Sequence, residues 1–172
     1  YGTILKSANG GLSWQYQRSG TQEHLNAVYA LTVQEAFAVG SAGILIHTTD
    51  GGQTWDRMST GKGCKLSDIE FISPTEGWIV GEFEYILHTA DRGQTWTVVN
   101  GGEPEAIDFS AVEDDEVLDD DFGMEEEVYT LNSICFVNPQ KGWTVGEFGT
   151  ILHTDDGGQT WEKQQSGVET VL

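Results

Sequence analysis

Three sets of residues in this 172-residue chain have the types and spacing to do chemistry. The first is a pair of glutamates, Glu82 and Glu147, each within the tetrapeptide Val-Gly-Glu-Phe. Paired carboxylates cleave glycosidic bonds when held about 5 to 10 Å apart. The second is His47, His88 and His153, each lying between Leu or Ile and Thr. Three imidazoles suit zinc, provided that all three reach one ion with bonds of about 2 Å. The third is the stretch from Glu103 to Val128, in which 13 of 26 residues are Asp or Glu and none is Lys or Arg. Hard cations favour clustered carboxylates, yet the run Asp-Asp-Asp-Phe-Gly-Met-Glu-Glu-Glu lacks EF-hand spacing. Calcium at this stretch is the one cofactor left open, and no other cofactor or metal is expected.

The elements that must position these groups are announced by a repeated corner. Thr-Thr-Asp-Gly-Gly-Gln-Thr-Trp, Thr48 to Trp55, recurs at Ser7 to Trp14, Thr89 to Trp96 and Thr154 to Trp161. The pattern Ser/Thr-x-Asp/Asn-x-Gly-x-Ser/Thr-Trp describes a turn closed by its own side chains. Its Asp or Asn is expected to bond backbone amides two residues on, its Gly to take positive φ, and its Trp to anchor a new strand. The structural residues of the four corners are Asn9, Gly11 and Trp14; Asp50, Gly52 and Trp55; Asp91, Gly93 and Trp96; and Asp156, Gly158 and Trp161. The first corner is the most degenerate, with Asn9 for Asp and Leu12 for Gln.

Successive corner tryptophans are 41, 41 and 65 residues apart, so one repeat has taken a 24-residue insertion. A period near 40 residues built of short strands and glycine turns indicates a β-propeller. The runs starting at Leu25, Leu66 and Leu131 align as inner strands, nearly continuously apolar and expected to be packed on both faces. Gly77 to Thr89 aligns with Gly142 to Thr154 and with Ala36 to Thr48, giving second and third strands, and the outer strand follows the Trp. The expectation is an all-β chain of four-stranded antiparallel blades, about 3.6 of them, within a larger ring; seven blades would take roughly 290 residues at this period. The divisions are a partial blade at 1–20, blades at 21–61, 62–102 and 129–167, and an acidic inter-blade insertion at 103–128. Tyr1 falls inside a blade, and Val168 to Leu172 is a candidate start of another inner strand.

This architecture weighs against catalysis. Equivalent points on different blades fan outward, so the three histidines cannot converge on one ion. Aromatics opening the second strands, Phe37, Trp78 and Trp143, are expected to pack between blades instead of stacking on sugars. Glu82 and Glu147 lie on the loop from second to third strand, on the face where propellers bind ligands; as repeat equivalents they read as structural or partner-binding, not catalytic. The insertion joins the same face, and its interleaved apolar residues suit a segment that orders against a partner. Phe109, Asp119, Asp120, Asp121 and Phe122 are its candidate contacts.

The corners resemble the bacterial neuraminidase repeat, or Asp-box. The longer unit Gly-Trp-x-Val-Gly-Glu-x-Gly-x-Ile-Leu-His-Thr-x-Asp-Gly-Gly-Gln-Thr-Trp is similar to that of the photosystem II stability and assembly factors and their non-photosynthetic bacterial relatives. The resemblance covers all but the insertion. It implies a non-enzymatic protein-binding scaffold: an assembly or stability factor, or an accessory subunit, of a membrane-associated complex. It also implies an extracytoplasmic location, in periplasm, lumen or at the cell surface. Those photosystem factors are expected to bind through an Arg-rich patch, whereas this chain has only Arg18, Arg57 and Arg92, all at or after corners. The same placement removes a sialidase-type arginine triad. A glycoside hydrolase-type propeller and an extracellular interaction protein remain the alternatives.

Charge narrows the partner. The net charge is −20, from 28 acidic and 8 basic residues, and falls to −7 without the insertion. Nucleic acid and anionic membranes are poor partners for such a surface, and a client with a basic surface is favoured. No apolar run is long enough to span a membrane, so the chain is not expected to insert into one. Cys64 and Cys135 stand at non-equivalent positions in neighbouring blades, too far apart for a disulfide.

Overall fold

The computed structural model describes residues 2–102 and 129–167. A two-stranded sheet, β1 (Thr3–Lys6) with β2 (Gln15–Arg18), is followed by three four-stranded antiparallel sheets. The second blade runs β3 (Leu25–Ala30), β4 (Ala36–Gly40), β5 (Leu45–Thr48) and β6 (Asp56–Met58). The third runs β7 (Leu66–Phe71), β8 (Gly77–Gly81), β9 (Ile86–Thr89) and β10 (Thr97–Asn100). The fourth runs β11 (Leu131–Phe136), β12 (Gly142–Gly146), β13 (Ile151–Thr154) and β14 (Glu162–Lys163). Each blade is a meander in chain order, the blade pattern of a β-propeller.

The corners are tighter than the sequence suggests. The Asp carboxylate reaches four residues on, not two: Thr54 N donates to Asp50 at 3.0 Å, Thr95 N to Asp91 at 2.9 Å and Thr160 N to Asp156 at 2.9 Å. The shorter reach is taken by the preceding Thr hydroxyl, which accepts the corner glycine's N–H at 2.8–2.9 Å in each blade. Those glycines adopt φ of 79 to 85°, a region costly for any residue with a Cβ. The degenerate first corner makes the same set, with Ser13 N on Asn9 Oδ1 at 2.9 Å and Gly11 N on Ser7 Oγ at 2.8 Å.

Burial follows the second strands, which corrects the expectation for the inner ones. All five residues of β8 are buried, whereas β3 alternates half-buried and exposed positions. The inner strands also carry Asn26, Asp68, Glu70 and Ser133, which bridge neighbouring blades instead of packing apolar surface. Asn26 Nδ2 donates to Leu66 O at 2.7 Å, Tyr29 OH to Phe71 O at 2.6 Å, and Phe136 N to Glu70 Oε2 at 2.9 Å. Asp68 Oδ2 accepts from Ser133 Oγ at 2.8 Å and Ile134 N at 3.1 Å.

The core is a series of inter-blade layers. Phe37, Val39 and Leu45 pack with Leu66, Ile69, Phe71, Ile79 and Leu87, while Trp78, Val80 and Ile86 pack with Leu131, Ile134 and Leu152. Alternation along β8 explains the split: Ile79 faces the second blade, and Trp78 and Val80 face the fourth. Each fully buried side chain of this size contributes about 1.5–3 kcal/mol.

Candidate functional site

The candidate site is the face where second strand turns into third. Three single turns of 3-10 helix stand there in equivalent places: Ser41–Gly43, Glu82–Glu84 and Glu147–Gly149. Their middle residues, Ala42, Phe83 and Phe148, lie in the left-handed region at φ 52, 60 and 52°. For residues with a Cβ that conformation costs of order 1–2 kcal/mol. The turn is held by the chain leading into the inner strand: Ser41 N donates to His24 O, Glu82 N to Lys65 O and Glu147 N to Thr130 O, at 2.9–3.0 Å. The glycine before each turn allows that approach, since a Cβ on Gly40, Gly81 or Gly146 would meet the same three carbonyl oxygens within 2.4 Å.

Glu82 and Glu147 complete the contact from the other side. Glu82 Oε2 accepts from Lys65 N at 2.6 Å and Glu147 Oε2 from Thr130 N at 3.2 Å. Each glutamate thus donates its own N–H to, and accepts the N–H of, one residue, forming a two-bond clasp at the head of the inner strand. One oxygen of each carboxylate is committed to backbone, which accounts for the recurrence of the pair.

Aromatic side chains rise beside them. Phe148 is 63% exposed and lies 5.1 Å from the Tyr129 ring, over which Lys163 Nζ stands at 5.5 Å. Phe83 is half-buried, 6.3 Å from Tyr85. Gly102 N donates to Phe83 O at 3.1 Å and Glu84 N to Tyr129 O at 2.8 Å, so residues on both sides of the acidic stretch are tied to one turn. Phe109, Asp119, Asp120, Asp121 and Phe122 lie outside the described residues, as does Val168 to Leu172.

The other sequence candidates have local partners. His47, His88 and His153 lie against the aromatic opposite on their own second strand, at 4.2 Å from Phe37, 4.8 Å from Trp78 and 4.6 Å from Trp143. Burial holds the His88 imidazole below its ordinary pKa. Among the described residues no group of three His, Cys, Asp or Glu is placed to hold a metal ion. Phe37 and Trp78 are fully buried, each beneath the corner glycine of the following blade, Gly93 and Gly158. Cys64 is buried and Cys135 exposed, and no disulfide joins them.

Sequence reasoning missed an ionic cluster between the second and third blades. Glu35, only 8% exposed, accepts from His47 Nε2 at 3.0 Å and from Arg92 Nε at 2.9 and 3.0 Å, with Arg92 Nη2 closing a bidentate pair. The Arg92 guanidinium, and then His47, hold the Glu35 carboxyl below the usual range against the opposing effect of burial. The signal was present: Arg92 replaces a corner glycine and takes φ 67° there. Asp68 and Glu70 were also missed. Burial, with Asp68 alongside, pushes the Glu70 carboxyl up.

These observations define a class: a β-propeller scaffold whose repeated residues are spent on holding blades together, with an aromatic and acidic face where the turns emerge. More specifically, the chain belongs to the family of photosynthesis system II assembly factor YCF48, whose profile matches residues 1–65 and 116–171. Among solved structures it is similar to YCF48 bound to D1 peptide, at 23% identity and TM-score 0.59 over 84% of this chain. It is also similar to YCF48 from Cyanidioschyzon merolae, at 17% identity and TM-score 0.58 over 95%. An ancestral GH74 enzyme shares the fold at 10% identity and TM-score 0.64 over 98%. The chain spans 42, 43 and 23% of the lengths of those three chains, respectively. No curated protein matched its sequence.

Proposed function

We propose that this chain is the binding part of a non-enzymatic assembly factor that grips an extended protein segment with a basic surface on the face bearing Glu82, Phe83, Glu147 and Phe148. One observation carries the reading. Phe148 is held in a left-handed turn and stands 63% exposed beside Glu147 and Tyr129, an apolar anchor next to a carboxylate. An exposed aromatic with a charged rim suits a peptide that supplies an apolar residue between cations. Family membership supports a protein client, as does the similarity to a structure of YCF48 bound to a peptide. The sequence-level excess of carboxylates between residues 103 and 128 adds to the preference for a basic client.

The client is further proposed to be a subunit of a membrane-associated complex, met outside the cytoplasm. The hydrolase alternative gains nothing from the two glutamates, whose recurrence is accounted for by the backbone clasp. The test is calorimetric titration of the chain with a peptide alternating Lys and Leu against one alternating Ser and Leu. Binding should be confined to the basic peptide, weaken with added salt, and fall about tenfold or more in F148S, a change at an exposed side chain that leaves the fold intact. Equal binding of the two peptides, or an unaffected F148S, overturns the reading.

A further inference from the structure

The ionic cluster between the second and third blades has a counterpart between the third and fourth that lacks its cation. Glu35, at the end of the turn from β3 to β4, accepts a bidentate pair from Arg92 and a bond from His47 Nε2 at 3.0 Å. The same frame recurs one blade on. Ile72 N and Ser73 N donate to Glu76 O as Leu31 N and Thr32 N donate to Glu35 O. The Ser73 hydroxyl accepts from Thr75 N and Glu76 N, as the Thr32 hydroxyl does from Gln34 N and Glu35 N. Glu76 is thereby held where Glu35 is held. His88 lies against Trp78 as His47 lies against Phe37, at 4.8 and 4.2 Å. Gly157 stands in the place of Arg92: Arg92 N donates to Thr75 O at 3.0 Å and Gly157 N to Gln140 O at 2.9 Å, with φ of 67 and 74°.

What differs is the guanidinium. Glu35 is 8% exposed beneath Arg92, whereas Glu76 is exposed and makes no ion pair among the described residues. His88 Nε2 is buried and has no hydrogen-bond partner among the described residues, although the Glu76 charge acts on its imidazole against the effect of burial. Two such groups are too few for zinc, and no third metal-ligating group among the described residues joins them. A guanidinium fits better. Its planar fork pairs with a carboxylate through two bonds, and it sheds water more readily than a lysine ammonium does. Drawn in by that fork, the Glu76 carboxylate would come over His88 Nε2 and accept from it, as Glu35 accepts from His47.

We propose that Glu76 and His88 form a docking site for one arginine side chain of a protein partner, entering beside Gly157. The occupant is specified by Arg92, which fills the equivalent place one junction earlier from within the chain. A net charge of −20 draws cationic segments toward the surface. The site lies among the turns from first to second strand, at the opposite end of the antiparallel strands from the turns that carry Phe148. It is therefore a second surface, independent of the client site at Phe148.

The test is an NMR titration of the chain with a peptide alternating Arg and Gly, against one alternating Lys and Gly. The arginine peptide should shift the His88 imidazole and Glu76 signals saturably, and bind about threefold or more tighter than the lysine peptide. Glu76→Gln, at an exposed position, should weaken that response by about threefold or more. Gly157→Arg supplies the guanidinium from within the chain, at a φ that Arg92 already adopts. It should move the His88 signal without any peptide and block the titration, whereas Phe148→Ser should leave the titration unchanged. No shift at His88, an equal response to the two peptides, or a response indifferent to Glu76→Gln overturns the proposal. So does a folded Gly157→Arg chain in which the arginine peptide still shifts His88.

Discussion

Trp78→Ala tests most directly the packing of a second-strand aromatic beneath the next blade's corner glycine. The ring is 1% exposed, lies 4.4 Å from Phe136 and 4.8 Å from His88, and is capped by Gly158. Truncating a fully buried aromatic loses its transfer free energy and leaves a cavity, for a cost of about 3–5 kcal/mol. A corner glycine at φ 81° and two aromatic walls cannot collapse into the space, which places the cost in the upper half of that range. One effect opposes it: Trp78 Nε1 is buried without a hydrogen-bond partner among the described residues, a penalty of about 1–3 kcal/mol already carried by the wild type. Trp78→Phe removes that donor and keeps most of the ring, reproducing the residue found at Phe37, and should cost no more than about 1.5 kcal/mol. Trp143→Ala is the internal control, since Trp143 is only half-buried and no corner among the described residues covers it; it should cost less than half as much as Trp78→Ala. Urea unfolding with the slope held common gives all three values. Equal costs for Trp78→Ala and Trp143→Ala, or a Trp78→Phe as damaging as Trp78→Ala, would refute the idea that the following corner completes each aromatic site.

Three further outcomes follow from the charged groups. Asp91 and Asp156 are held down to about 2 by their Thr95 and Thr160 partners, so their stabilisation is present above the ordinary carboxylate range and lost as pH falls through about 2. Urea midpoints between pH 5 and 2 should drop, and D91N with D156N should flatten that drop. Glu70 has the opposite sign: its raised pKa means that stability is lost as pH rises through the folded-state value, and E70Q should remove that decline when midpoints are measured between pH 4 and 7. Arg92→Gly relieves a left-handed residue but strips Glu35 of its guanidinium, so it should destabilise the wild type and be neutral or stabilising in an E35Q background, a change of sign read from a double-mutant cycle.

Much of the fold was legible because it is periodic. A corner written four times at a fixed spacing specifies sheet after sheet, and the shared second- and third-strand motifs identify the blade order. The errors arose where one residue answers to two blades. The inner strands looked apolar throughout, yet Asp68 and Glu70 are half-buried because each caps an amide of the next blade's strand. Glu82 and Glu147 read as structural or partner-binding repeat equivalents, but spacing alone could not show that each meets, within its own blade, the backbone of Lys65 or Thr130. Phe83 and Phe148 are equivalent in sequence but differ in exposure, since only Phe83 packs against the core of the second and third blades.

Taken alone, the sequence determined what repeats: the period, the positions of the corners, the strand order within a blade and the scarcity of arginine, all of which depend on residues close together in the chain. Tertiary structure decided what those residues face. Glu35 finds Arg92 across 57 positions and Ser133 finds Asp68 across 65, because blades one period apart are brought side by side.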